Sequence, residues 1–217
     1  MKRTLNLGTA ALLSGVLCLS PASGQNIDLN SQVAADETRL VEIFKKIHAN
    51  PELSIQETET AALIAAELKT NGFEVQTGIG KTGVVGIMKN GPGPVIMFRA
   101  DMDALPLKEE SGLAYASTKT GTTLDGLKSS IAHVCGHDAH VTWLIGVAKV
   151  MAAQKANWSG TLILLGQPGE EAFMGAVGMV NDSLYSKIPE PSVIFASHTN
   201  PIWPAGAVGM GPGRRMA

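Results

Sequence analysis

The sequence is poor in cysteine and in aromatic residues, and it carries no excess of charge of either sign. Two cysteines occur among its 217 residues, aromatic residues make up 5%, and the formal net charge is −2. Because basic residues do not cluster or alternate with aromatics, nucleic acid and anionic membrane surfaces are not expected partners. We expect the chain to act on a small molecule, and its 45% hydrophobic content is sufficient for a sizeable core.

Long apolar stretches are also scarce, and the exception lies at the amino terminus. Lys2 and Arg3 precede an apolar stretch from Leu5 to Leu19, after which small residues follow. This pattern is typical of a signal peptide, which we predict over residues 1–24. The alternative, a membrane anchor, would need about 20 apolar residues. The sequence thus predicts an exported protein, periplasmic or secreted, with no stable membrane span once the signal is removed.

Removal of this signal would leave Cys135 as the only cysteine, which excludes an intramolecular disulfide. Cys135 belongs to the segment A-H-V-C-G-H-D-A-H at residues 132–140. Its thiolate and the imidazole of His137 can face one cation, since Gly136 between them has no side chain to crowd the approach. The alternative is a buried thiol that acts as a small hydrophobe, but its neighbours are polar. The segment therefore predicts a metal site.

Apolar residues at helical spacing predict helices on both sides of this segment in the sequence. One is predicted around Leu40 to Ile47, and a second follows the sequence S-I-Q-E, whose spacing is that of a capping box with Ser54 as the N-cap. A third is predicted to begin with Asp138 as its N-cap and to cover one face of a sheet. Its dipole would favour a thiolate at Cys135 just upstream.

Three continuous apolar runs each end in polar, chemically useful residues. Such runs are typical of strands covered on both faces, and so of an α/β fold. Because ligands gather beyond the carboxyl ends of the strands in open α/β sheets, we expect the residues that follow the runs to converge. The runs lie at residues 95–98, 162–165 and 193–195, and they lead to Asp101 and Asp103, to Glu170 and Glu171, and to His198.

The carboxylates suit metal-assisted hydrolysis of an amide, which needs a group that carries a proton from water to the leaving amine. Of Glu170 and Glu171, one could bind metal while the other acts as general base; the alternative is a solvated pair at a strand end. Asp103 is a candidate to hold a ligating imidazole in one tautomer. Asp101 and His140 are candidates to support a ligand or to contact substrate.

With these residues assembled, the chain resembles the amidohydrolase branch of the aminoacylase and carboxypeptidase metallopeptidases. This branch includes hippurate hydrolases, N-acyl-amino-acid amidohydrolases and auxin-conjugate hydrolases. Several ordered motifs over a long stretch are more specific than any one of them alone. The motifs are H-A-N-P-E-L-S from His48, F-R-A-D-M-D-A-L-P from Phe98, H-V-C-G-H-D from His133, Q-P-G-E-E from Gln167, and His198 with Pro201, Pro204, Gly206, Gly213, Met216 and Ala217.

The resemblance implies a two-metal hydrolytic centre. It implies Cys135, His137, Glu171 and His198 as metal ligands and Glu170 as the general base. The ligand types suit Zn²⁺ and permit Mn²⁺, Co²⁺ or Ni²⁺. The implied substrate is an amide between an acyl group and an amino acid, or a short peptide.

The fold implied by the resemblance is a three-layer α/β/α sandwich with a mixed, mostly parallel sheet. Family members carry an inserted smaller domain that covers the active site and supports a homodimer, and a C-terminal part that completes the sheet. We expect residues 25–217 to form the N-terminal portion of the catalytic domain, without the inserted domain, the C-terminal part and a last histidine ligand. The sandwich is therefore expected to be incomplete.

Three hypotheses follow for function. The leading one is an exported metal-dependent amidohydrolase. The second is a truncated, catalytically inactive metal-binding remnant of such an enzyme. The third makes Cys135 a nucleophile with a histidine base, but a thiol nucleophile has no need of paired glutamates.

Overall fold

The computed structural model describes residues 28–209, so the predicted signal peptide and the predicted motif residues Gly213, Met216 and Ala217 lie outside it. The helices are α1 (Leu29–Ala49), α2 (Thr58–Thr70), α3 (His137–Ala153), α4 (Gly175–Asn181) and α5 (Leu184–Lys187). The strands are β1 (Glu74–Ile79), β2 (Gly83–Asn90), β3 (Val95–Asp101), β4 (Thr120–Thr122), β5 (Lys128–Ser130), β6 (Gly160–Gln167) and β7 (Val193–Ala196).

The main sheet is mixed and mostly parallel, as the resemblance implied. Its strand order is β1-β2-β6-β3-β7. Strand β2 pairs antiparallel with both β1 and β6, whereas β3 pairs parallel with β6 and β7. Four of these strands therefore point the same way and β2 opposes them. Strands β4 and β5 form a separate antiparallel pair in the connection between β3 and α3.

Helices cover the two faces of this sheet and give three layers. Alternation along β6 assigns its side chains to opposite faces: Leu162 and Leu164 pack in the cluster that includes α1, α2 and α3, and Ile163 and Leu165 pack in the cluster that includes Met179 of α4 and Leu184 of α5. Full burial of one such aliphatic side chain stabilises the fold by roughly 1.5–3 kcal/mol. The predicted α/β/α sandwich is confirmed.

Two helix starts differ from the predictions. Helix α2 begins at Thr58, with Glu57 at the N-cap, because the hydroxyl of Ser54 donates to Asp103 (2.6 Å) rather than capping the helix. Helix α3 begins at His137, and the residue before it, Gly136, takes the left-handed conformation with φ 89°. This places Asp138 in the first turn and makes His137 the first residue of the helix.

Strand β7 lies at an edge of the described sheet and is poorly covered. Its residues Val193, Ile194 and Phe195 are each about half exposed, although the run is as apolar as that of the buried strand β6. The expected incompleteness of the sandwich is visible here. None of the helices among residues 28–209 combines the length and the apolar character that crossing a membrane requires.

Candidate metal centre

The parallel strands bring distant polar residues to one edge of the sheet. In the register of β3 and β6, Asp101 pairs with Gln167, and Arg99 pairs with Ala196 of β7. The loops that follow these strand ends carry the paired glutamates and His198, and the amino end of α3 meets them from the helical layer. Convergence at the carboxyl ends of the strands was predicted from the apolar runs.

The four ligands that the resemblance implied lie together. Ligand atoms of Cys135, His137 and Glu171 are all within 4.8 Å of one another. The Sγ atom of Cys135 is 3.6 Å from Nε2 of His198. Carboxylate oxygens of Glu170 and Glu171 lie 3.7 and 3.8 Å from Nε2 of His137. These residues come from three separate stretches of the chain, so their meeting is a property of the fold.

Unpaired buried atoms indicate that this cluster fits a cation. Nε2 of His137 and Oε1 of Glu171 are buried, and neither has a hydrogen-bond partner among the described residues. A buried polar atom left unpaired costs about 1–3 kcal/mol. A thiolate, imidazole nitrogens and a carboxylate are the donors that zinc and related divalent metals prefer. The residues present therefore fit a divalent metal.

Asp103 fixes the orientation of two of these side chains. It accepts hydrogen bonds from the hydroxyl of Ser54 (2.6 Å) and the backbone N–H of Glu171 (3.0 Å), and it lies 3.2 Å from Nδ1 of His137. Burial raises the pKa of Asp103, but the hydrogen bonds from His137 and Ser54 outweigh burial and lower it. The ionised carboxylate therefore holds the proton on Nδ1 of His137 and leaves Nε2 free for a metal.

Asp101 and His140 support the segment that carries His198. Nδ1 of His140 is hydrogen-bonded to Asp101, and its Nε2 accepts the backbone N–H of Thr199 (3.0 Å). The hydroxyl of Thr199 donates to the backbone carbonyl of Cys135 (2.9 Å). Both ring nitrogens of His140 are thus engaged, whereas Nδ1 of His198 meets the carbonyl of Thr199 (2.8 Å) and leaves its Nε2 directed at Cys135.

The thiol of Cys135 is not activated by the protein alone. Burial, followed by the charge of Glu171, raises its pKa to about 12. The predicted effect of the α3 dipole on this thiol is therefore outweighed. A thiol with such a pKa is protonated at neutral pH, which argues against the hypothesis of a cysteine nucleophile, whereas a bound cation would favour the thiolate.

Two buried residues near the centre were not identified as important from the sequence. Glu57, interpreted as part of a capping box, is fully buried and accepts the backbone N–H of Gly169 (2.8 Å), just ahead of the paired glutamates. His48 lies 2.6 Å from a carboxylate oxygen of Asp138. His133, the first residue of the H-V-C-G-H-D motif, is buried outside the ligand clusters, and burial lowers its pKa to about 4. The three-residue spacing between Ser54 and Glu57 is visible in the sequence, but a local capping box has the same spacing.

An α/β sandwich whose strand ends gather a thiol, imidazoles and paired carboxylates has the kind of fold and donor set that a metal-dependent hydrolase requires. Comparison of the sequence with known families gives a more specific assignment. Residues 97–213 match the profile of Peptidase family M20/M25/M40, and the chain belongs to this family.

Individual relatives agree with this assignment. The chain is 44% identical over 160 residues to a hippurate hydrolase of Campylobacter jejuni, covering 73% of this chain and 39% of that protein. It is 34% identical to an IAA-amino acid hydrolase of Arabidopsis thaliana, covering 91% and 45%. A Bacillus subtilis crystal structure described as a dinuclear metal binding peptidase of the M20 family matches with TM-score 0.73 and 34% identity, over 83% of this chain and 47% of that one. The chain thus spans less than half the length of these relatives.

Proposed function

We propose that this chain is the N-terminal portion, over residues 25–217, of a metal-dependent amidohydrolase that cleaves the amide bond of an N-acyl-amino acid or a short peptide. The observation that carries the proposal is the meeting of Cys135, His137, Glu171 and His198 at the carboxyl ends of the strands. The substrate class is supported by relatives named for hydrolysis of hippurate, of IAA-amino acids and of N-acetyl-L-cysteine. Each of these names denotes an amide of an amino acid.

Two ions are proposed, and the ligand types suit Zn²⁺, Mn²⁺, Co²⁺ or Ni²⁺. The Bacillus subtilis relative described as dinuclear supports the same number. A bound divalent metal would polarise the amide carbonyl and lower the pKa of water at the site.

The proposed role of Glu170 is to move the proton. Its carboxylate lies 3.7 Å from Nε2 of His137 and is more exposed than that of Glu171 (28% against 19% of the side chain). Glu170 can therefore meet an incoming water and a substrate while Glu171 stays with the buried ligands. It would accept a proton from the water that attacks the carbonyl and deliver this proton to the leaving amine. During this step Asp103 would hold His137 in place, and Asp101 would hold His140.

The test is hydrolysis of N-acyl-amino acids by the purified chain after chelation and return of Zn²⁺, Mn²⁺, Co²⁺ or Ni²⁺. We expect the metal to restore activity, Glu170→Gln to lower kcat at least about 100-fold with metal still bound, and Glu171→Gln to lower metal content. Hydrolysis that is indifferent to chelation would contradict the proposal. Metal binding without hydrolysis would instead favour the alternative of an inactive metal-binding remnant.

Export and assembly are proposed on the sequence alone. The predicted signal at residues 1–24 supports a periplasmic or secreted location, and amino-terminal sequencing of the mature protein would test it. We also propose that full-length relatives form homodimers through the domain that follows this part of the chain. Neither proposal affects the assignment of the metal ligands.

A further inference from the structure

The loop that carries the paired glutamates is closed by its own backbone hydrogen bonds, and it is held at Gly169 as well as at the N–H of Glu171, which donates to Asp103. The backbone N–H groups of Met174 and Gly175 both donate to the carbonyl of Gly169 (3.1 Å each), and that of Phe173 donates to Glu170 (2.8 Å). Glu170 and Glu171 lie inside this turn. The position of Gly169, at the start of the turn, therefore contributes to the direction in which the two carboxylates point.

Gly169 is held by Glu57, which has no exposed surface. One carboxylate oxygen of Glu57, Oε1, accepts the backbone N–H groups of Gly169 and Ile55 (2.8 Å each). The other, Oε2, accepts the hydroxyl of Thr82 (2.5 Å). The carboxylate thus joins three segments: the start of α2, the turn before β2, and the turn that carries Glu170. Its two oxygens have separable tasks, since only Oε1 touches the glutamate loop.

A strained residue reinforces this contact. Ile55 has φ 64°, a left-handed conformation that a β-branched side chain rarely adopts. Its backbone N–H is held by Glu57, and its side chain packs on Gly169 so closely that a Cβ added there would lie 2.4 Å from Cδ1 of Ile55. Strained backbone is retained where the surroundings over-determine it, and such places cluster at functional sites. Here the left-handed residue places an aliphatic side chain against Gly169 at the start of the glutamate loop.

We propose that Glu57 is a positioning residue for the metal centre, which acts through the amide of Gly169 to fix the direction of Glu170 and Glu171. The inference rests on the proposed metal-binding function of the same site. A purely structural role for Glu57, as an acceptor for buried donors, predicts that every change at this cluster lowers stability and nothing else. Positioning predicts in addition that changes at Oε1 alter the metal centre and that changes at Oε2 do not.

The variants that separate these roles are Glu57→Gln, Glu57→Asp, Glu57→Ala and Thr82→Val. Gln keeps an acceptor for Ile55 and Gly169, and its amide can donate to Thr82, so near wild-type behaviour is expected. Asp retains the charge but withdraws it by one methylene from Gly169. Thr82→Val is the matched control, because it removes the bond to Oε2 and leaves Oε1 unchanged.

The measurements are the Co²⁺ and Zn²⁺ dissociation constants by titration calorimetry, the Co²⁺ absorption spectrum, and amide hydrogen exchange over residues 169–175. For Glu57→Asp and Glu57→Ala we expect a dissociation constant raised at least about tenfold, as for other residues that orient metal ligands, an altered spectrum and faster exchange. For Glu57→Gln and Thr82→Val we expect dissociation constants within about threefold of wild type and an unchanged Co²⁺ spectrum. This should hold even if Thr82→Val lowers Tm. If Glu57→Ala does not fold, Glu57→Asp decides.

The inference is overturned if Glu57→Asp lowers Tm as much as Thr82→Val does but leaves metal affinity and spectrum unaltered. It is also overturned if exchange over residues 169–175 does not change in Glu57→Asp. Failure of the wild-type chain to bind metal would be a failure of the proposed function instead. Hydrogen exchange needs no metal and would still show whether Glu57 holds the loop.

Discussion

The sulfur of Cys135 lies 3.6 Å from Nε2 of His198, although 63 residues separate them in the sequence. The contact exists because β7 pairs with β3 and delivers His198 to the amino end of α3. Thr199 completes the junction, since its hydroxyl donates to the carbonyl of Cys135 (2.9 Å). The segment of His198 and Thr199 thus meets the segment of Cys135 through both side-chain and backbone atoms. The contact between Cys135 and His198 is a direct consequence of the strand order.

Replacement of Cys135 by serine should weaken metal binding and leave the fold intact. A hydroxyl stays protonated where a thiol can release its proton to a cation, so we expect the Zn²⁺ dissociation constant to rise at least about tenfold. The loss of affinity can be checked by measuring the metal content per chain with inductively coupled plasma mass spectrometry. The exposed neighbour Val134 supplies the control, since Val134→Ala should retain full metal content. Equal metal content in Cys135→Ser and wild type would refute the assignment of the thiol.

The variant Asp103→Asn should weaken both the fold and the metal site. An amide offers one acceptor oxygen where the carboxylate serves Ser54, Glu171 and His137, so a loss of about 1–3 kcal/mol in the free energy of unfolding is expected. Metal affinity should fall about 10–100-fold because His137 loses the partner that sets its tautomer. In contrast, Ser54→Ala should cost about 1 kcal/mol and leave metal affinity unchanged. Urea denaturation and calorimetry measure the two effects.

A second prediction on stability concerns pH and His48. Burial lowers the pKa of His48, but hydrogen bonds to Glu109 and Asp138 outweigh burial, and the pKa is raised above its ordinary value. The ring also faces Tyr115, over which Lys45 lies. A raised pKa in the folded state stabilises the fold below the ordinary pKa of about 6.5, and this contribution is lost as pH rises through the folded-state value.

The difference in unfolding free energy between wild type and His48→Gln should therefore shrink as pH rises above about 6.5. Denaturation at a series of pH values measures this difference. Because both proteins retain the other titrating groups, the comparison isolates His48. A difference that stays constant or grows with pH would contradict the raised pKa.

Two glycine substitutions should have opposite effects. A Cβ added at Gly175 would lie 1.5 Å from the carbonyl oxygen of Pro168, so Gly175→Ala must displace backbone in the glutamate loop and should cost about 3 kcal/mol. A Cβ added at Gly146, inside α3, would make ordinary contact with Leu40 at 3.5 Å. There, alanine should stabilise by about 0.5–1 kcal/mol through its higher helix propensity. Thermal denaturation distinguishes the two, and equal shifts in Tm would contradict the geometry.

Much of the fold was predictable because its signals are local and strong. Apolar runs long enough to be covered on both faces predicted β3, β6 and β7, and helical spacing predicted α1, α2 and α3. The convergence of Asp101, Glu171 and His198 followed from one rule about strand ends. The sequence offered no comparable pattern for β4 and β5, which are three residues each and have no apolar alternation.

The errors concern polar residues whose partners are distant in sequence. Ser54 and Glu57 have the spacing of a local cap, yet Ser54 donates to Asp103, and Glu57 accepts from Thr82 and Gly169. A hydroxyl or carboxylate makes the same kind of hydrogen bond with a near partner or a far one, so spacing cannot separate the two. The partner is decided only when the sheet brings the strands together.

The sequence alone determined which side chains are candidates to hold a divalent cation and at which end of the sheet they lie, because residue type and hydrophobic pattern are properties of short segments. Tertiary structure decided which atoms face the centre. Nε2 of His137 is free because Asp103 occupies Nδ1, whereas Nε2 of His140 is occupied by the backbone N–H of Thr199. Orientation depends on hydrogen-bond partners contributed by other strands and loops. Those partners exist only once the layers have packed.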